Sequence, residues 1–161
     1  MTDHRYSFRR VTADDADLLM RWQSNPHVRA WWEPRGPYSA EELADRRVLR
    51  QIVTCEGRPF AFMQDYTVHG WEDHHFASLP EGSRGIDQYI GAPDMLGIGH
   101  GPRFIRARMQ ALFEAGAPVI ATDPHPDNAR AIRVYSTLGF TQLGPPRQTP
   151  WGLILPMVAK A

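Results

Sequence analysis

Leu96-Gly97-Ile98-Gly99-His100-Gly101-Pro102 is the stretch on which the reading of the fold turns. A turn this dense in glycine, leading into a helix, exposes unpaired backbone N–H groups at the positive end of the helix dipole. Such a turn suits a phosphate, and glycine keeps the approach clear of side chains. Phe104, Ile105, Met109, Leu112 and Phe113 then recur at helical spacing, and Gly116 is placed to cap the helix end. Pro102 is welcome in a first helical turn but brings no N–H of its own.

Reading outward, Gly85 to Ile90 is a predicted strand that ends at Gly91-Ala92-Pro93. On the far side, Val119 to Thr122 is a short strand. Asp123-Pro124-His125-Pro126 breaks the chain, and Asp127 can cap a helix through Leu138 before Gly139. Toward the N-terminus, Tyr6 to Val11 alternates as a strand. Thr12 and Asp15 open a helix carrying Ala16, Leu18, Leu19 and Trp22, and a second short helix carries Val28, Trp31 and Trp32. Ser39 and Glu42 form a capping box that opens a charged helix through Arg50. Ile52 to Thr54 and Pro59 to Val68 are strands around Cys55-Glu56-Gly57-Arg58, and residues 69–83 form a loop. Closing strands fall near Gln142 to Leu143 and Leu153 to Val158. The strand–helix–strand–helix order of the second half predicts an α/β sheet with a parallel portion.

The 161 residues show no repeat or linker, so a single domain over 1–161 is expected. Eighteen Lys and Arg balance eighteen Asp and Glu. No global field draws the chain to nucleic acid or to an anionic membrane, and electrostatic selectivity must be local. No window is apolar enough for a membrane span and the first ten residues lack a signal-peptide core. With Cys55 the single cysteine, an intrachain disulfide is impossible and a cytoplasmic address is expected. His69, His74 and His75 lack metal-ligand spacing, so no metal is expected. Gly97, Gly99 and Asp123 partly imitate a dinucleotide fingerprint, but Pro102 occupies its third glycine position.

Leu96 to Gly101 resembles the pyrophosphate-binding pattern of the GNAT superfamily of N-acetyltransferases. Gly99 and Gly101 take its two glycine positions, and Leu96 stands where Arg or Gln is usual. Asn128-Ala129-Arg130-Ala131-Ile132-Arg133-Val134-Tyr135 with Leu138-Gly139-Phe140 resembles the superfamily's later motif. Gly85-Ile86-Asp87-Gln88, Thr122-Asp123-Pro124, Ala131-Ile132-Arg133, Trp31-Trp32 and Gly70-Trp71-Glu72 look like the aminoglycoside 6'-N-acetyltransferases.

The resemblance implies a GNAT fold, a mixed and mostly antiparallel sheet flanked by helices and splayed where acetyl-CoA inserts. It also implies direct attack of an amine on the thioester in a ternary complex. Asp87 would be the base and anchor for the amine, and Tyr135 would stabilise or protonate the departing thiolate. The cofactor would be held by Gln88, Tyr89, Ile90, the loop Leu96, Gly97, Ile98, Gly99, His100, Gly101 and Pro102, and by Asn128, Ala131 and Tyr135. Trp71, Glu72, Asp73, Asp87 and Asp123 would line the acceptor pocket. The expected partner is a small-molecule amine bound by a monomer or homodimer, and the resemblance points to an aminoglycoside-like one. Another amine (siderophore precursor, polyamine or protein amino group) is the nearest alternative, and a non-catalytic CoA-binding module is the alternative of another class.

Overall fold

The computed structural model describes residues 4–161. Seven strands form one twisted sheet: β1 (Tyr6–Arg10), β2 (Val48–Cys55), β3 (Arg58–Thr67), β4 (Arg84–Ile90), β5 (Val119–Thr122), β6 (Thr141–Gln142) and β9 (Met157–Lys160). Their order in space is β1-β2-β3-β4-β5-β9-β6, and β7 (Arg147–Thr149) and β8 (Gly152–Ile154) pair with each other as a separate hairpin. Every neighbouring pair is antiparallel except β4 and β5. The expected mixed, mostly antiparallel sheet is therefore observed.

Helices cover both faces, and the strand pleat decides which side chain meets which layer. Register partners Ile52 and Phe62 point to one side, packing with Leu19 and Trp22 of α1 (Ala16–Gln23). The next partners, Val53 and Ala61, point to the other side. There they join Phe104, Ile105, Met109 and Leu112 of α4 (His100–Glu114) and Tyr135 of α5 (Ala129–Thr137). Asp65 is wholly buried, accepting from Arg84 at 2.6 Å and Arg108 at 2.8 Å, so one carboxylate ties β3, β4 and α4 together. Removing either arginine would leave part of a buried charge unpaired, which is the costly way to break such a site.

The sheet opens at its parallel seam. β4 pairs with β3 along seven residues but with β5 only through Arg84↔Ile120 and Gly85↔Ala121. Beyond Gly85 the β5-facing edge of β4 has no strand against it among the described residues. Along that edge the Ile86 carbonyl accepts from Thr122 Oγ1 at 3.3 Å and the Ile90 carbonyl accepts from His27 Nε2 at 2.7 Å. The alternation of an antiparallel ladder turns the backbone N–H and C=O of Gln88 to the same open side.

Four local expectations are corrected. The helix opened by Ser39 is α3 (Ala40–Ala44) and stops well short of Arg50, because Val48 to Arg50 are taken into β2 opposite Tyr66 to Gln64. The second short helix, α2 (Pro26–Arg29), ends before Trp31 and Trp32. The last helix is capped by Asn128, not Asp127: its side chain accepts from the Ala131 N–H at 3.2 Å. The closing segment is β8 and β9 with a break at Leu155-Pro156, where the Leu155 N–H donates to the Pro124 carbonyl at 2.8 Å.

Candidate active site

A cavity of about 1260 Å³ fills the splay between β4 and β5. Its floor at one end is the glycine loop. Gly97 and Gly99 adopt left-handed backbone with φ of 71° and 94°, a region side chains disfavour, and Gly99 is the residue from which α4 starts. The His100 and Gly101 N–H groups therefore head a fifteen-residue helix with no earlier turn to bond them. Leu96, Gly97, Gly99, Gly101 and Pro102 line the cavity, while Ile98 is 61% exposed outside it. The His100 ring turns away, with Nδ1 2.8 Å from Tyr6 Oη. Leu96 brings no charge to this end, but Arg130 of α5 does. It lines the cavity, and a guanidinium nitrogen lies 3.5 Å from where a Cβ on Gly97 would be.

Gln88, Tyr89, Ile90, Asn128, Ala131 and Tyr135 all line the middle of the cavity. Asn128 spends its side-chain oxygen on the helix cap, and Ala131 packs on the core. Tyr135 is buried, and its Oη accepts a hydrogen bond from Gln88 Nε2. Burial pushes its pKa up to about 12, with hydrogen bonds to Thr122 and Gln88 pulling the other way, so the phenol stays protonated at neutral pH.

The other end holds two carboxyls. Asp87 on β4 accepts from Gln64 Nε2 at 3.0 Å, and Asp123 follows β5 directly, where the seam has opened. Burial is the main cause that raises the Asp87 pKa to about 8, and the neighbouring Asp123 charge adds to it. Burial likewise raises Asp123 to about 7, against hydrogen bonds from Asp87 and backbone that lower it. Two such carboxyls in contact share a proton and titrate as a pair.

Aromatic rings roof this end. Trp71 lines the cavity beside Tyr66, and Trp151, at the tip of the β7–β8 hairpin, is 62% exposed, 5.3 Å from the His74 ring. Trp31, 48% exposed, also lines the cavity, against His125 at 5.9 Å. Glu72 and Asp73 are exposed and lie outside the lining; His74 and His75 of the same loop occupy the wall instead. His69 is held by the Ala77 and Leu79 carbonyls at 3.2 and 3.0 Å. Sequence reasoning missed Arg130, His75 and Trp151 as wall residues. Arg130 lay inside a motif already quoted, while the other two become visible only when distant segments meet.

The acetyltransferase (GNAT) domain family matches residues 11–146, and the chain belongs to that family. The chain is 32% identical to the aminoglycoside N(6')-acetyltransferase type 1 of Klebsiella pneumoniae, over 86% of this chain and 75% of that one. A kanamycin resistance protein of Rhizobium radiobacter is 42% identical over 46% of this chain and 66% of its own. Among solved structures, AAC(6')-Ib in complex with ribostamycin and coenzyme A superposes with a TM-score of 0.82 at 30% identity, covering 96% of this chain and 93% of that one. The protein is an acetyltransferase of the GNAT fold.

Proposed function

We propose that the protein transfers the acetyl group of acetyl-CoA to a primary amine of an amino sugar, the 6'-amine of an aminoglycoside. The observation that carries the reading is the single cavity wall on which a phosphate-type loop, a protonated tyrosine and a half-buried carboxyl pair succeed one another. His100 and Gly101 N–H groups with Arg130 would hold the pyrophosphate, and the open Gln88 backbone would pair with the pantetheine amides. Relatives bearing the aminoglycoside acetyltransferase name, and structures holding aminoglycoside with coenzyme A, support the same choice of substrates.

The chemistry follows from the side chains. An ammonium cannot attack a carbonyl, so it must first lose a proton. Its positive charge, arriving beside Asp87 and Asp123, lowers the affinity of the pair for the proton they share and frees Asp87 to accept. The amine nitrogen then bonds to the thioester carbonyl carbon and the C–S bond breaks. Tyr135 gives its proton to the departing sulfur and is reprotonated by the second proton that nitrogen sheds as the amide forms. The balance is one amide, one thiol and one proton released.

Thiol release from acetyl-CoA, followed with a thiol reagent, tests this directly. Saturable release is expected with an aminoglycoside bearing a 6'-amine and none with its 6'-hydroxyl counterpart. Release with other amines but no aminoglycoside would overturn the acceptor assignment and leave the reaction class standing.

A further inference from the structure

His75 stands behind the carboxyl pair with its side chain only 2% exposed. Its ring stacks on His74 at 4.1 Å and packs against Phe76 at 4.5 Å and Trp151 at 5.9 Å. Nε2 lies 2.8 Å from Asp123 Oδ2, whereas Nδ1 is buried with no hydrogen-bond partner among the described residues. That asymmetry sets the tautomer. A proton on Nδ1 would be a buried donor with nothing to accept it, the expensive kind of unmade bond. The proton therefore belongs on Nε2, which donates to Asp123.

The same surroundings rule out a shuttle. The charged or titratable groups that face the ring are Asp123, Asp87 on β4, Arg147 on β7, and His74, itself flanked by His69. Burial first, then Arg147, lowers the His75 pKa to about 4, with Asp87 pulling the other way. An imidazole that relays protons needs a partner on each nitrogen, and this one has a sealed Nδ1. It is a fixed donor.

The geometry points to His75 as a positioning residue that holds Asp123 as the anionic member of the pair and leaves the shared proton on Asp87 until a cation enters. Its effect on turnover rests on the acetyl-transfer reading; its effect on the carboxyls does not. Titration of the substrate-free protein by 13C NMR of labelled aspartate carboxyls, with Asp87→Asn and Asp123→Asn for assignment, separates the two. Without the Nε2–H donor, His75→Phe should raise the lower pKa of the pair by about one unit, roughly tenfold in proton affinity. His75→Gln, which keeps an amide donor, should restore it. In turnover, the acid limb of kcat/KM should move up with it while KM for acetyl-CoA stays put.

Superimposable titrations of wild type and a folded His75→Phe would overturn the assignment. Should that variant fail to fold, imidazole 15N shifts of the wild type decide. A protonated Nε2 with a bare Nδ1 supports the assignment, and the opposite tautomer or an imidazolium at neutral pH sinks it. A shifted titration without transfer to any amine would keep His75's role and retire the transferase reading.

Discussion

Asp87 shows what a carboxyl held out of water costs the fold. Its folded pKa of about 8 lies above its ordinary value of 3.8. The stability it contributes is thus complete below about pH 4 and is lost as pH rises through about 8. Asp87→Asn keeps an acceptor for Gln64 and removes the ionisation. The variant should melt roughly 2–6 °C above wild type once the pH exceeds the pair's titration, and level with it in acid. It should also lose acetyl transfer. An Asp87→Asn protein with wild-type turnover at neutral pH would exclude the base role. Tyr135→Phe tests the other end of the reaction. With the proton donor gone, kcat should fall about 10²-fold or more while KM for acetyl-CoA changes little. Steady-state kinetics at saturating amine would show it, and an unchanged kcat would leave the thiolate to solvent.

Among the elements, β4 does most to build the site, and Gly85 marks where it leaves β5. The Tyr66 ring lies across that glycine: a Cβ there would sit 2.2 Å from the ring. Gly85→Ala must displace a buried tyrosine that stands near both carboxyls, at a cost of about 1–3 kcal/mol. A lowered Tm together with a disturbed pH profile is expected, and a neutral substitution would mean that the ring moves freely. How far such elements could be read from the sequence depended on whether their determinants are local. The glycine loop, α4, β4 and the Asn128 to Phe140 segment were legible, since caps, glycines and helical spacing act within a few residues. Asp87 and Tyr135 sit inside those segments, Asp123 directly follows the short strand β5, and all three line the cavity. The stretch Glu41 to Arg50 reads as a charged helix, yet its last residues form a strand, because pairing with Gln64 to Tyr66 outweighs propensity. His75 and Asp123 are 48 positions apart, and no pattern along the chain announces that they touch.

Taken whole, the molecule is two runs of strands, β1 to β4 and β5-β9-β6, joined through two residue pairs at the seam. A cosubstrate held as proposed, by Gln88 on one side and by α4 and α5 on the other, would bridge them. Acetyl-CoA at about 100 times its Kd should therefore add about 2.7 kcal/mol of stability, roughly 5–10 °C in Tm. NAD should add nothing, and equal shifts from both would contradict the proposed cofactor. The β7–β8 hairpin stands apart from this frame. Among the described residues it pairs only with itself, Thr149 and Gly152 close its turn through a 2.8 Å hydrogen bond, and Trp151 at its tip lines the cavity. Mutations at that tip touch no strand of the main sheet, so on the proposed reading they would revise which amines are accepted while leaving the folding machinery intact. Residues 150 and 151 are therefore where a change in the range of amines accepted would be expected to arise first.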